Sequence, residues 1–181
     1  MRVEGTPAFK SSEAVSIEMS GASKLEDFKA ACDLLKLDMS GASSATIKAD
    51  FKKMDIDISG ASKIKMDGTA EYIEMECSGA SSAKLNGKYV KAAIEVNGAS
   101  KVNMQKIVEF LGLEVSGASN FETEENVASA DVELSGASKA RIGVTERLNY
   151  ELSGVSTLRV RESGAKIRGE ASRGSKIVYI K

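Results

Sequence analysis

Acidic residues flanked on both sides by apolar residues recur along the whole chain, as in Ile56-Asp57-Ile58 and Leu113-Glu114-Val115. A second alternation of apolar and polar residues follows a few positions later, as in KIKM at 63–66 and KVNM at 101–104. Alternation with a period of two is typical of a β-strand with one buried face and one solvated face. The pattern therefore predicts strands over most of the sequence, with the carboxylates directed to solvent.

A short phrase, SGAS or a close variant, separates the two alternations each time they occur. Its first residue stands at 20, 40, 59, 78, 97, 116, 135 and 153, and a degraded ninth copy, SRGSK, occupies 172–176. The intervals between successive copies are 18 to 20 residues. A fixed short period is typical of a solenoid, and this one is too short for the paired helices of the common helical repeats.

The repeat predicts an all-β fold, a single-stranded parallel β-helix (β-solenoid) of about nine coils with 18–20 residues each. We expect one coil to contain a strand, the SGAS corner, a second strand, a glycine-containing corner and a short third strand. The turn-forming dipeptides Asp67-Gly68 and Asn86-Gly87 predict the second corner. Inward residues of the third strand are predicted to include Phe51, Tyr89, Val108 and Val127.

The whole chain, 1–181, is expected to form a single β-helix domain. Residues 1–14 are assigned to a partial N-terminal coil, 15–171 to the SGAS coils and 172–181 to the degraded terminal coil. The chain begins and ends at nearly the same phase of the coil, so end-to-end association of two copies is one expectation. Protection of the end coils by flanking segments is the other.

Glycine is expected at each SGAS corner because the chain turns sharply there and glycine reaches positive φ without steric cost. The serines beside it either bond to the backbone of the corner or form a ladder that contacts a ligand, and the scarcity of threonine favours the first interpretation. The corner glycines are Gly21, Gly41, Gly60, Gly79, Gly98, Gly117, Gly136 and Gly154.

The alternation also predicts the core. Cys32 and Cys77 lack the spacing of a zinc site, so we expect both to be small core residues. Representative apolar residues that we expect to be buried are Ile58, Ile64, Met66, Leu85, Val96, Val115 and Leu134.

Two charged rows follow from the same period. The acidic row contains Glu18, Asp38, Asp57, Glu76, Glu95, Glu114, Glu133, Glu151 and Glu170. Lysine recurs in every second coil just after the corner, at Lys24, Lys63, Lys101, Lys139 and Lys176, with Lys65, Lys84, Arg141 and Arg159 two residues further along. These rows are interpreted either as solvated outer faces that keep the rod soluble or as binding surfaces for cations, a charged glycan or a neighbouring rod. No metal site is expected, because a line of carboxylates is not a cage of six to eight oxygens.

The composition argues against several classes of function. The formal net charge of −1 gives no general attraction to nucleic acid, and no apolar run is long enough for membrane insertion. The chain has no histidine that could act as a base near neutral pH, and its constant coil length leaves no long loop to build a cleft. We therefore expect a non-enzymatic protein without a cofactor.

The phrases DISGASKIKMDG at 57–68, VELSGASKARIG at 132–143 and GSKIVYIK at 174–181 resemble the head GIN domain of the auto-transporter adhesin family. The resemblance extends over about residues 15–181. It implies a right-handed parallel β-helix in the cell envelope or outside the cell, although the N-terminus of this chain lacks the apolar run of a signal peptide. The family offers no motif-defined catalytic or binding residues to carry over.

The sequence thus favours a structural or adhesive β-helix module of the cell envelope, whose adhesive role rests on the resemblance. A polysaccharide-binding or polysaccharide-cleaving β-helix is the alternative, and a β-solenoid scaffold filament is a third. The expected partners are another copy of the chain, placed end to end, or a cell-surface glycan or protein.

Overall fold

The computed structural model describes residues 2–3, 9–10, 14–161 and 164–181. Every secondary-structure element in these residues is a β-strand. The strands are β1 (Arg2–Val3), β2 (Phe9–Lys10), β3 (Ala14–Met19), β4 (Lys24–Met39), β5 (Ser44–Ile58), β6 (Lys63–Cys77), β7 (Ser82–Val96), β8 (Lys101–Val115), β9 (Asn120–Leu134), β10 (Lys139–Leu152), β11 (Thr157–Arg161), β12 (Lys166–Ala171) and β13 (Lys176–Ile180).

The strands form parallel ladders in which each coil pairs with the coils before and after it. From β4 to β10 the sheet order follows the chain order. The first half of β10 then pairs with β11, which pairs with β13, and the second half of β10 pairs with β12. The chain therefore winds as a β-solenoid of about nine turns, which confirms the predicted all-β fold. The predicted N-terminal coil lies largely outside the described residues, but β1, β2 and β3 each pair with β4.

The prediction that a glycine corner ends the second strand of each coil is wrong. From β4 to β10, a single strand of 14 to 16 residues runs from one SGAS corner to the next, and it passes through Asp67-Gly68 and Asn86-Gly87. These two glycines pair in register. A Cβ at Gly68 would collide with the carbonyl of Ala49 in the preceding coil, so this position of the strand requires glycine. The chain changes direction inside the strand, at positions where two consecutive side chains both point outward, such as Lys52 and Lys53.

The core fills the interior of the solenoid as one continuous cluster. Full burial of one valine, leucine or isoleucine side chain contributes about 1.5–3 kcal/mol to the stability of the fold. Cys32 and Cys77 are buried free thiols, as predicted, and burial raises the pKa of both. The representative core residues are confirmed at no more than 2% exposure: Ile58, Ile64, Met66, Leu85, Val96, Val115 and Leu134.

One inward prediction is off by a single position. Ile107 is fully buried, whereas Val108 is only half-buried. The β7–β8 ladder shifts register between Leu85 and Lys88, so that Tyr89 pairs with Ile107. A shift of one residue exchanges the inward and outward sides of a strand, which explains why the constant period mispredicted this position. Phe51, Tyr89 and Val127 are buried as expected.

The SGAS corner keeps the backbone ladder intact while the chain turns. At the corner of Gly79, φ is +73°, and the N–H of Ala80 donates to the carbonyl of Gly60 at 2.8 Å. A Cβ at Gly79 would lie 2.5 Å from the Gly60 carbonyl oxygen. Glycine is therefore required here both for its positive φ and for close backbone approach. All eight predicted corner glycines have positive φ, between 67° and 74°.

The last serine of each phrase points inward. Ser43 donates its hydroxyl to the carbonyl of Ser40 at 2.8 Å, and Ser81 donates to the carbonyl of Gly60 at 3.3 Å. The backbone N–H of Ser81 in turn donates to the hydroxyl of Ser100 at 3.3 Å. This serine row is at most 2% exposed from Ser43 to Ser156, so it belongs to the corner and not to a ligand-contacting surface.

Arg161 ties together coils that are not neighbours in the ladder. Its guanidinium donates to the carbonyls of Thr123 and Glu125 at 3.1 and 2.8 Å and to the side-chain oxygen of Asn126 at 3.1 Å. The side chain crosses β10 at Gly143, where a Cβ would lie 2.6 Å from the Arg161 Nε. Glycine at this position thus allows a side-chain clamp across two coil spacings.

We expect Gly79→Ala to lower the free energy of unfolding by more than about 1 kcal/mol, because alanine at positive φ is strained and its Cβ meets the backbone of the preceding coil. Gly112→Ala is the matched control. A Cβ there would make only ordinary contacts, the nearest at 3.6 Å, and the local φ is not positive. Chemical denaturation monitored by circular dichroism measures both variants, and equal midpoints for the two would contradict the role assigned to the corner.

Candidate functional site

A column of nine carboxylates follows one side of the solenoid. The ladders place each predicted acidic residue directly beside its equivalent in the next coil, from Glu18 and Asp38 to Glu151 and Glu170. All nine are exposed except Asp38, which is half-buried. Neighbouring strands are about 4.8 Å apart, so the carboxylates form a dense line of negative charge. The predicted single acidic row is confirmed as one surface.

A second outward column runs parallel to the first and completes what we call the acidic face. Its members, in coil order, are Ser16, Lys36, Asp55, Glu74, Ala93, Gly112, Asp131, Asn149 and Arg168. The small residues Ala93 and Gly112 leave an open depression of about 470 Å³. Asp55, Glu74 and Asp131 border this depression together with carboxylates of the first column.

Crowding of the acidic column changes the acidity of Asp57. Partial burial raises the pKa of this carboxyl above its ordinary value of 3.8, and the neighbouring charges of Asp38, Asp55 and Glu76 raise it further. When it is protonated, Asp57 can also donate a hydrogen bond to the carboxylate of Asp38, which raises the pKa of Asp57 further. The ionised carboxylate of Asp57 therefore lowers the stability of the fold at neutral pH.

Two outward columns on the other side of the SGAS corner form what we call the basic face. The first contains Lys24, Ser44, Lys63, Ser82, Lys101, Asn120, Lys139, Thr157 and Lys176. The second contains Thr46, Lys65, Lys84, Asn103, Glu122, Arg141, Arg159 and Val178. The two columns together carry nine cations and one carboxylate. Lysine at every second coil in the first column is confirmed.

The basic face has a depression of its own, of about 410 Å³. Asn120 lies at its centre, between Lys101 and Lys139, and the buried ring of Phe121 lies beneath. Arg141 donates to Glu122 at 3.0 Å across one coil spacing. Asn103, Thr157 and Arg159 complete the lining of the depression.

Charges on the remaining side of the coil are compensated between neighbouring coils. Lys52 pairs with Asp33 at 3.1 Å and Lys91 with Glu109 at 3.6 Å. Lys106 pairs with Glu125 in the same manner. Exposed pairs of this kind contribute little stability, but they place charges of opposite sign beside one another. The two faces that meet at the SGAS corner are therefore the strongly charged surfaces among the described residues.

The geometry supports binding through broad faces rather than catalysis in a cleft. In the described part of the chain, no three carboxylates or thiols converge on a position that could hold a metal ion. Both depressions are open and are bordered by repeated side chains, whereas catalysis needs a few groups with distinct environments. The residues that the structure describes contain no helix that could span a lipid bilayer.

Sequence reasoning located both columns of the basic face and one of the acidic face, but it missed the second acidic column and both depressions. The period contained the signal: the residues two positions before the acidic row include Asp55, Glu74, Ala93, Gly112 and Asp131. The clamp by Arg161 had no such signal, because its partners lie two coils away in a register that the repeat does not encode.

Comparison with known proteins gives one match. A family model described as "putative auto-transporter adhesin, head GIN domain" matches residues 8–102 and, in a second alignment, residues 29–126. The two alignments overlap because a repeated coil fits the model in more than one register. Together they span well over half of the chain. No curated protein and no solved structure matches the chain.

We expect Asp57→Asn to raise the melting temperature at about pH 7, because it removes a carboxylate that its neighbours disfavour. Protonation of Asp57 removes the same negative charge in the unmodified protein and therefore also stabilises its fold. Since the folded pKa of Asp57 is raised, the advantage of the variant shrinks as the pH falls through that pKa and vanishes below 3.8, the ordinary value. Thermal unfolding of both proteins across a pH series measures the difference.

Glu109→Gln is the control for this prediction, because it deletes a carboxylate that is paired with Lys91. It should not raise the melting temperature at neutral pH. A pH-independent difference between the Asp57→Asn variant and the unmodified protein would show that the effect is not electrostatic.

Proposed function

This chain belongs to the family described as putative auto-transporter adhesin, head GIN domain, and from that membership we propose that it is a non-enzymatic adhesive module of the cell surface. The family name supports the adhesive role and a location in the cell envelope or outside the cell. The observation that carries the proposal is the pair of oppositely charged faces held in register along the solenoid.

A continuous ladder suits adhesion because it presents many weak contacts in a fixed geometry. Between Lys24 and Leu152, each coil consists of one strand and one four-residue corner, without an inserted loop. The backbone holds the charged residues of these coils at fixed spacings, and only rotation about side-chain bonds changes the distances between the charges. Binding of an extended partner therefore adds contacts coil by coil, which raises the overall affinity without a single strong site.

A polysaccharide-binding or polysaccharide-cleaving β-helix is the second candidate, and one observation favours it. The depression on the acidic face brings carboxylates from several coils to one surface, including Glu74, Glu95 and Asp131. Paired carboxylates perform glycoside hydrolysis. An assay for newly released reducing ends separates this candidate from a purely adhesive module.

We expect beads coated with the purified chain to be retained under flow on at least one polysaccharide-coated or protein-coated surface, about tenfold above beads coated with albumin. The panel contains a sulfated, a carboxylated and a neutral polysaccharide, together with collagen. No reducing ends should be released from the polysaccharides in solution. Absence of retention on every surface would contradict adhesion, and release of reducing ends would favour the second candidate.

A further inference from the structure

Three cations of the basic depression have no ionic partner among the described residues, and a fourth, Arg141, pairs with Glu122. Lys52 and Lys91 on the compensated side each pair with a carboxylate, whereas Lys101, Lys139 and Arg159 form no salt bridge with any residue that the structure describes. All three are exposed. Unpaired cations in one place are attractive to an anionic partner, because no internal pair has to be broken.

Hydrogen-bonding groups stand between these cations. Asn120 separates Lys101 from Lys139 in the first column, and Asn103 lies beside Lys101 in the second. Thr157 adds a hydroxyl at the far end of the depression. Amides and hydroxyls that alternate with cations match a ligand that carries both hydroxyl groups and negative charges.

We propose that the basic face binds a linear anionic polysaccharide that runs along the solenoid axis and is centred on the depression around Asn120. This site rests on the proposed adhesive function and names its ligand class. The recognised chemistry is a chain of hydroxylated sugars with regularly spaced sulfate or carboxylate groups. Lys101, Lys139 and Arg159 contact the charged groups, while Asn103, Asn120 and Thr157 bond to sugar hydroxyls.

The geometry favours an extended polymer. Lys101 and Lys139 lie two coils apart, a distance of about 10 Å at the usual strand spacing, and the columns continue in the same direction through Lys63 and Lys176. A linear chain can follow such columns and gain contacts in each coil. A compact ligand would reach only a few of the cations.

The basic face lacks the features that nucleic-acid binding requires. Proteins that bind single strands stack bases on exposed aromatic side chains, and neither column of this face contains an aromatic residue. Phe121 lies below the depression but is only 2% exposed. The surface therefore matches the anionic groups and hydroxyls of a polymer without offering a platform for bases.

The test compares two triple variants that each remove three positive charges. The face variant combines Lys101→Gln, Lys139→Gln and Arg159→Gln. The control combines Lys52→Gln, Lys91→Gln and Lys106→Gln, three lysines of the compensated side that pair with carboxylates. Heparin is the sulfated probe, polygalacturonate the carboxylated probe and dextran the neutral one. Calorimetry or biolayer interferometry measures binding by the folded full chain at about 0.05 M and 0.5 M salt.

We expect the face variant to lose about tenfold or more in affinity for at least one anionic probe, and the control to change by less than about twofold. Binding should weaken at the higher salt concentration, and dextran should not bind. Preference for heparin or for polygalacturonate identifies the anionic group. Glu122→Gln should tighten binding about threefold, because it removes the carboxylate of the face and releases Arg141. A gain of affinity cannot arise from misfolding.

Equal losses in the two triple variants would overturn the site, since net charge alone would then explain binding. Tighter binding to single-stranded DNA than to both anionic polysaccharides would overturn the ligand class. A third outcome is that the chain binds no polysaccharide and shows concentration-dependent sedimentation, which the face variant abolishes. The partner of the basic face would then be the acidic face of a second copy.

The bead assay keeps this inference separate from the proposed function. Beads coated with the face variant that adhere as well as the unmodified chain would show that adhesion stands and that this site is not its origin. Loss of adhesion by the face variant, with retained adhesion by the control, supports both.

Discussion

The backbone hydrogen bonds that join one SGAS corner to the next are the interaction on which the structure depends. At each corner the N–H of the residue after glycine donates to the carbonyl of the glycine one coil earlier, at 2.7 to 2.8 Å from Ala42 to Val155. This contact demands positive φ and leaves no room for a side chain. Because the ladder does not open at the turn, the parallel sheet continues around the corner. Eight glycines thus convert a chain of strands into a closed coil.

The ladders stay in register along the acidic and basic columns, and this register determines the surface. Residues one period apart become direct neighbours, so a row in the sequence becomes a column on the rod. Carboxylates before the corner and lysines after it therefore form two faces of opposite charge that meet at the same edge. The pKa of Asp57 is raised first by partial burial and then by the like charges that the two columns bring beside it.

The sequence predicted the structural features that recur in every coil. Alternation identified the buried side of each strand, and the glycine in every phrase indicated positive φ at the corner. Prediction failed where one coil differs from its neighbours. Asp67-Gly68 suggests a turn by local propensity, yet tertiary pairing keeps it in the strand. Ile107 replaces Val108 in the core because the β7–β8 ladder shifts register between Leu85 and Lys88. The reach of Arg161 depends on the glycine over which its side chain passes. The depressions arise from small residues whose effect appears only once the columns stand side by side.

The orientation of the ladder has a mechanical consequence. Backbone hydrogen bonds between coils run parallel to the rod axis, so tension applied along the axis loads the bonds of an end coil one after another instead of all together. One coil of about 19 residues occupies about 4.8 Å of the rod when folded and about 65 Å when extended. Peeling a coil would therefore release slack in large, discrete increments while the remaining coils kept their shape. Side-chain bonds from Arg161 to Thr123 and Glu125, two coils away, would oppose the peeling of the coils that they join.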